Sequence, residues 1–213
     1  MSTGRCRLTR FILVRHGETE WNLFERFRGR ADLSLNETGF KQAEAAGLSL
    51  KGRRVSAIYF SPLKRTAQTA GVISRHLGVP AEPLEGLIDM DFGEFQGLSA
   101  EEAAKRDAKL LTSWIEAPHE ARFPGGESLA DGRERVTSAV GELAAKHDGE
   151  TLVLVSHKVV CQVTLCAMLG MDNSHFWQVG QDVCAINRFE IRDGMPAVSL
   201  INDTCHLRDL HAE

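Results

Sequence analysis

The stretch Phe11-Ile-Leu-Val-Arg-His-Gly17 sets a short, continuous apolar run directly against a cationic pair and a glycine. Ala57-Ile-Tyr-Phe60 and Leu152-Val-Leu-Val155 are runs of the same kind. Segments of this length, rich in Val, Ile, Tyr and Phe, read as strands buried on both faces. Between them lie helical patterns. Leu63, Ala67, Ala70, Ile73 and Leu77 recur at helical spacing, with Ser61 placed as N-cap, Pro62 at the first helical position and Gly78 just past the end. A second helix runs through Leu129, Val136, Ala139, Val140 and Leu143, with Ser128 near its start. A third runs through Val159, Val163, Cys166, Ala167 and Leu169 up to Gly170, and a shorter one spans 37–48. Late strands over 183–191 and 197–201 flank the turn Arg192-Asp-Gly194. Buried strands separated by amphipathic helices predict an α/β fold, a three-layer α/β/α sandwich with a largely parallel central sheet.

In such sheets ligands bind outside the carboxyl ends of the strands. The residues that follow each buried run therefore carry the functional reading. Arg15 and His16 follow the first, Ser61 to Arg65 the second, and Ser156 and His157 the third. Two histidines and two arginines thus converge on one sheet edge, and the helix starts after Ser61 and His157 add backbone N–H donors. An anion is the natural guest, and phosphate suits best, because the planar fork of arginine pairs bidentately with phosphate oxygens.

Bulk properties narrow the classes. The 213 residues, 43% of them hydrophobic, suit one domain spanning 1–213 with a lid-like insertion at approximately 98–127. Basic residues number 25 and acidic residues 29, a net charge of −4, which argues against nucleic acid as a partner. No run reaches the length of a membrane span. The N-terminal ten residues are basic but precede no long apolar stretch, so no signal peptide is expected. Cysteines at 6, 161, 166, 184 and 205 form no Cys-x-x-Cys pair and suggest neither a disulfide framework nor a zinc site. Reduced cysteines and the missing export signal point to the cytoplasm.

Leu13-Val-Arg-His-Gly-Glu-Thr-Glu-Trp-Asn22 resembles the signature of the histidine phosphatase superfamily, which includes the cofactor-dependent phosphoglycerate mutases. The segments starting at Arg28, Ser61, Asp91, Pro124 and Val155 resemble the family's later motifs in the same order, so the likeness covers roughly residues 11 to 170. The resemblance implies a phosphoglycerate mutase-like fold and roles at matching positions. His16 would become phosphohistidine. Arg15, Arg65 and His157 would grip the phosphate oxygens, Asn22 would add a hydrogen bond, and Gly29 would bring backbone close to the substrate. The chemistry agrees: a neutral imidazole is a competent nucleophile when its other nitrogen is held as N–H. Cationic donors can stabilise the transferring group without a metal. The motifs hold no carboxylate cluster arranged for magnesium, so neither metal nor cofactor is expected.

The leaving alkoxide needs a proton. Relatives often supply it from a glutamate two residues before the Asp-Phe-Gly segment; here that position is Asp89, with Glu85 as a rival and Asp91 and Glu94 as weaker ones. Lys158 stands where relatives often have glycine, and is either a cation near the substrate or an exposed first-turn lysine. Glu127 and Ser128 either rim the pocket or start a helix. Trp21 is expected to pack, while Trp114 could line the substrate mouth; His206 is set aside as a tail residue. The short chain and acidic Glu101-Glu102 favour hydrolysis of a small-molecule phosphate ester, such as a sugar phosphate, phosphoserine or α-ribazole phosphate. Mutase-type transfer and non-catalytic phospho-ligand binding are the alternatives. A homodimer through a C-terminal edge strand stays open.

Overall fold

The computed structural model describes residues 7–24 and 26–210. Cys6 and the N-terminal six residues, on which the signal-peptide reading rests, lie outside them. Six strands form one mixed sheet in the order β3-β2-β4-β1-β5-β6: β1 (Leu8–Arg15), β2 (Ala57–Phe60), β3 (Ala81–Pro83), β4 (Thr151–Ser156), β5 (Ile186–Arg192) and β6 (Met195–Asp203). The first four are mutually parallel, and β5 and β6 close the sheet as an antiparallel hairpin. The helices are α1 (Glu20–Leu23), α2 (Glu37–Leu50), α3 (Lys64–Leu77), α4 (Ala100–Glu116), α5 (Leu129–Lys146) and α6 (Lys158–Met168).

Alternation along the central strands explains the layers. Ile12 and Val14 of β1 and Val153 and Val155 of β4 meet Ala46, Leu50, Ala70 and Ile73 of α2 and α3 on one face. Phe11, Leu13, Leu152 and Leu154 point the other way, to Val136, Val140 and Leu143 of α5 and Val160 and Val163 of α6. Because every side chain of these strands meets a helix layer, the runs are continuously apolar rather than alternating. Pairing Arg15 with Ser156 in the parallel register brings the ends of β1 and β4 level, so His16 and His157 leave the sheet side by side.

Three expectations need correction. Ser61 does not cap α3; Leu63 is the N-cap residue, and the Ser61 hydroxyl instead meets His157 Nε2 at 2.7 Å. Pro62 accordingly lies before the helix. The segment after residue 98 is largely helical: Ser99 and Glu102 form a reciprocal capping box at the start of α4. The helix breaks at Asp107 (φ −155°, ψ 92°), whose carboxylate accepts from the Leu110 N–H at 2.9 Å and restarts it. Ser128 does cap α5, with Asp131 as its partner.

The loop after β1 is held against α2 by two glycines. A Cβ on Gly17 would stand 2.5 Å from the Gly39 carbonyl oxygen, and one on Gly39 would collide with the Glu18 carbonyl. Both opposing atoms are backbone and cannot rotate aside. Gly39→Ala should therefore destabilise the protein by about 1–3 kcal/mol, the usual range for overpacking, measured as a lowered urea midpoint with an unchanged m-value. Because the same contact positions Gly17, activity should fall as well.

Candidate active site

A cavity of about 750 Å³ opens at the carboxyl end of the parallel strands. Arg15, His16, Asn22, Gly29 and Asp89 line it, and Arg65 and His157 lie directly behind, both with no exposed surface. The structure thus brings the residues read from the sequence together at one sheet edge, with Arg65 and His157 at the buried base of the group.

His16 is 1% exposed, and its Nδ1 lies 2.6 Å from the Gly17 carbonyl oxygen. A carbonyl can only accept, so Nδ1 carries the hydrogen and Nε2 keeps its lone pair. Burial, reinforced by the charges of Arg65 and Arg15, holds the ring well below the usual histidine range and hence neutral. Its ring centroid is 5.3 Å from that of His157. His157 is likewise held neutral, by burial first and then by Arg65. Its Nδ1 accepts from Arg65 Nε at 3.1 Å, which leaves Nε2–H to donate to Ser61 Oγ at 2.7 Å.

Arg65 is fully buried and engaged on every side. Nη1 donates to the Ala31 carbonyl at 2.6 Å, and Nη2 to the Gly29 carbonyl at 2.7 Å and Asp89 Oδ2 at 3.0 Å. Gly29 can offer that carbonyl because it sits at φ +47°, where a side chain would also press on Gln96, Met90 and Phe92. Arg15 differs. Nη1 donates to the Gln181 carbonyl at 2.6 Å, while its buried Nε has no protein partner. Burial and then Arg28 pull its pKa down to about 10, so it stays charged near neutrality. An unpartnered guanidinium N–H at the wall of a cavity is a waiting donor.

Asp89 is buried with its Oδ1 accepting from the Met90 N–H at 2.9 Å. Burial raises its pKa, opposed by Arg65 and Arg28. The rival carboxylates stand elsewhere. Glu85 is exposed, Glu94 pairs with Arg106, and Asp91 accepts from the Gly93 N–H and pairs with Arg30 at 3.4 Å. Glu127 is tied to Arg30, Arg135 and the Asp91 N–H. Asn22 lines the cavity with Oδ1 occupied by the Thr19 N–H and hydroxyl, so its NH₂ is what it can offer a ligand.

The sequence reading passed over Arg26, Arg28 and Gln181 as site residues. Arg28 lines the cavity, and its charge acts on Arg15, His16, Asp89 and His157 alike. Its place in the motif beginning Arg28-Gly-Arg was the available signal. Trp114 and Lys158 do line the cavity, together with Trp177. Trp21 packs beside Gly97 instead, and the half-buried His206 contacts the Cys184 carbonyl at 3.1 Å. Cys161, Cys166, Cys184 and Cys205 are free thiols. Among the described residues no three His, Cys, Asp or Glu side chains cluster to hold a metal, and no helix is long and apolar enough to cross a membrane.

The sequence model of the histidine phosphatase superfamily, branch 1, matches residues 11–204. The chain belongs to this superfamily. As a histidine phosphatase it is a hydrolase of the phosphomonoesterase class. It is 35% identical over 206 residues to phosphoserine phosphatase 1 of Hydrogenobacter thermophilus, covering 97% of this chain and 98% of that one. The Bacillus stearothermophilus YhfR structure superposes with a TM-score of 0.90 at 28% identity, covering 94% of this chain and all of that one. The Entamoeba histolytica phosphoserine phosphatase, solved in complex with 3-phosphoglyceric acid, superposes with a TM-score of 0.85 at 28% identity, covering 93% and 99%.

The two buried neutral histidines make acid stability a readout of this histidine phosphatase site. Their folded-state pKa values lie below 6.5, so under that pH the unfolded chain binds protons that the folded protein refuses, and stability falls as pH falls. Asp89, raised above 3.8, acts in the opposite direction but is one group against two. The unfolding free energy should drop by about 1–2 kcal/mol between pH 6.5 and 5.5, and His16→Asn should reduce that drop by about 1 kcal/mol. Urea melts of both proteins across this range check it; parallel slopes would mean that His16 is not held neutral.

Proposed function

We propose that this histidine phosphatase hydrolyses a small phosphorylated metabolite through a phosphohistidine at His16, without a metal. The observation that carries the reading is the state of His16: a buried, neutral ring with Nδ1–H fixed on Gly17 and Nε2 left as a nucleophile among three arginines. In the first step Nε2 attacks phosphorus, the P–O bond to the alcohol breaks, and the departing alkoxide takes the proton of Asp89. In the second, water attacks phosphorus and gives its proton to the Asp89 carboxylate. The N–P bond then breaks and inorganic phosphate leaves, restoring neutral His16 and protonated Asp89. The raised pKa of Asp89 suits a group that alternates between acid and base.

Arg15, through Nε, and Asn22, through its NH₂, bind the phosphoryl oxygens directly. Gly29 brings backbone to the same wall. Arg65 holds Asp89, and Arg65 and His157 complete the grip on the phosphoryl oxygens from the base of the cavity. Positive charge from Arg15, Arg28 and Arg65 takes the part a metal ion plays in other phosphoryl-transfer sites. The segment 98–127 forms the lid-like wall, through Ala100, Leu111, Trp114 and Ile115. The similarity to two phosphoserine phosphatases makes O-phosphoserine the first substrate to test.

Phosphate release from O-phosphoserine and from p-nitrophenyl phosphate should persist in excess EDTA and fall at least about a thousandfold in His16→Ala. Wild-type enzyme quenched during turnover of ³²P-labelled substrate should carry an acid-labile, base-stable label. Activity that needs added metal, or that survives loss of His16, would overturn the mechanism. Asp89→Asn should lower kcat/KM, which reports the phosphorylation step alone, for alkyl phosphates by about a hundredfold or more. It should spare p-nitrophenyl phosphate by comparison, because p-nitrophenolate departs without a proton. An equal loss on both would remove Asp89 from the proton-donor role.

A further inference from the structure

Lys158 occupies an electrostatically unfavourable place. It is the first residue of α6, an 11-residue helix whose first turn contains no acid. The positive end of the helix dipole favours anions there and disfavours a lysine. Arg15, Arg28 and Arg65 already gather around the neighbouring His157. The side chain nevertheless lines the cavity, with Nζ 5.7 Å from the centroid of the Trp177 ring.

That ring is itself fixed. Trp177 donates from Nε1 to the Trp114 carbonyl at 3.0 Å and packs edge-on against Trp114, centroids 5.5 Å apart. Trp177 is 43% exposed and Ile115 59% exposed, so both stand at the open end of the cavity. Lys158 is therefore an ammonium placed over an aromatic face, beside an otherwise apolar part of the wall. The other cations of the cavity have different work. Arg26 is engaged with Glu102 at 3.0 Å and with the Gly97 carbonyl at 2.6 Å, and Arg28 acts on the reacting groups.

We propose that Lys158 is a specificity-determining residue: its ammonium binds a carboxylate on the alcohol portion of the substrate while the phosphoryl group rests against His16. The inference rests on the phosphatase reading above and adds the group that selects an acidic alcohol over a neutral or cationic one. The low-dielectric aromatic wall strengthens this ion pair relative to one in open water, and the short step from His157 to Lys158 joins the two anion subsites in one segment of chain.

Matched substrates isolate the effect. O-phosphoserine and O-phosphoethanolamine differ by the carboxylate, as do glycerate 3-phosphate and glycerol 3-phosphate. In the wild type kcat/KM should favour the carboxylate member of each pair. Lys158→Met, which keeps the apolar stem over Trp177, should reduce that preference at least tenfold, mainly through KM. Lys158→Arg should restore most of it. A wild type that is His16-dependent yet indifferent to the carboxylate would overturn the role of Lys158 and leave the phosphatase reading standing. The role of Lys158 is equally overturned if Lys158→Met lowers both members of each pair by the same factor, or if Lys158→Arg fails to rescue. Absence of phosphate release from every ester, p-nitrophenyl phosphate included, would overturn both readings.

Discussion

The constraint on which the site depends is the burial of the Arg65 guanidinium. A fully buried positive charge is tolerable only if its hydrogens find acceptors and its charge finds a partner. The Gly29 and Ala31 carbonyls, His157 Nδ1 and Asp89 Oδ2 supply both. Those four acceptors come from three separate stretches of chain: the loop before α2, the loop after β3 and the junction of β4 with α6. Satisfying one side chain therefore draws together the segments that carry the reactive groups. It also explains a positive-φ glycine at position 29, since the backbone there must turn its carbonyl inward with no side chain in the way.

The same charge sets the state of His16. His16 and His157 sit in a field of arginines within a dry layer, and both effects oppose protonation. The hydrogen bond from Nδ1 to Gly17 then selects the tautomer with a free Nε2. Gly17 holds its position because it and Gly39 touch backbone to backbone, so the packing of α2 against the loop after β1 is part of the catalytic geometry. Arg15 stays charged in the same surroundings and keeps a buried Nε without a protein partner.

Around this polar base the cavity is aromatic. Phe92, Trp114 and Phe123 pack in edge-to-face contacts at 4.9–5.7 Å, and Phe176 and Trp177 extend the cluster to the rim. The cluster ties α4 and the 3₁₀ turn Asn173–Gln178 to the cavity wall. The outer part of the cavity wall is thus built largely from α4 and this turn, whereas the strand ends supply its polar base.

Sequence by itself determined the sheet and the chemistry at its edge. Continuous apolar runs read as doubly covered strands, and the structure bears this out, with a parallel register that sets His16 and His157 side by side. The resemblance pointed to Asp89 rather than Glu85, and the structure buries Asp89 beside Arg65 while leaving Glu85 exposed. Tertiary structure decided what depends on contacts between distant segments. Ser61 looked like a cap because local rules see only the helix that follows, whereas a buried His157 claimed its hydroxyl. The partners of Arg65 and His157 in the folded chain, two carbonyls, a carboxylate and the Ser61 hydroxyl, likewise come from distant segments. Trp177 and the break in α4 at Asp107 were not foreseen. Their places follow from how the loops fold over the sheet edge, where side-chain packing rather than local propensity sets the conformation.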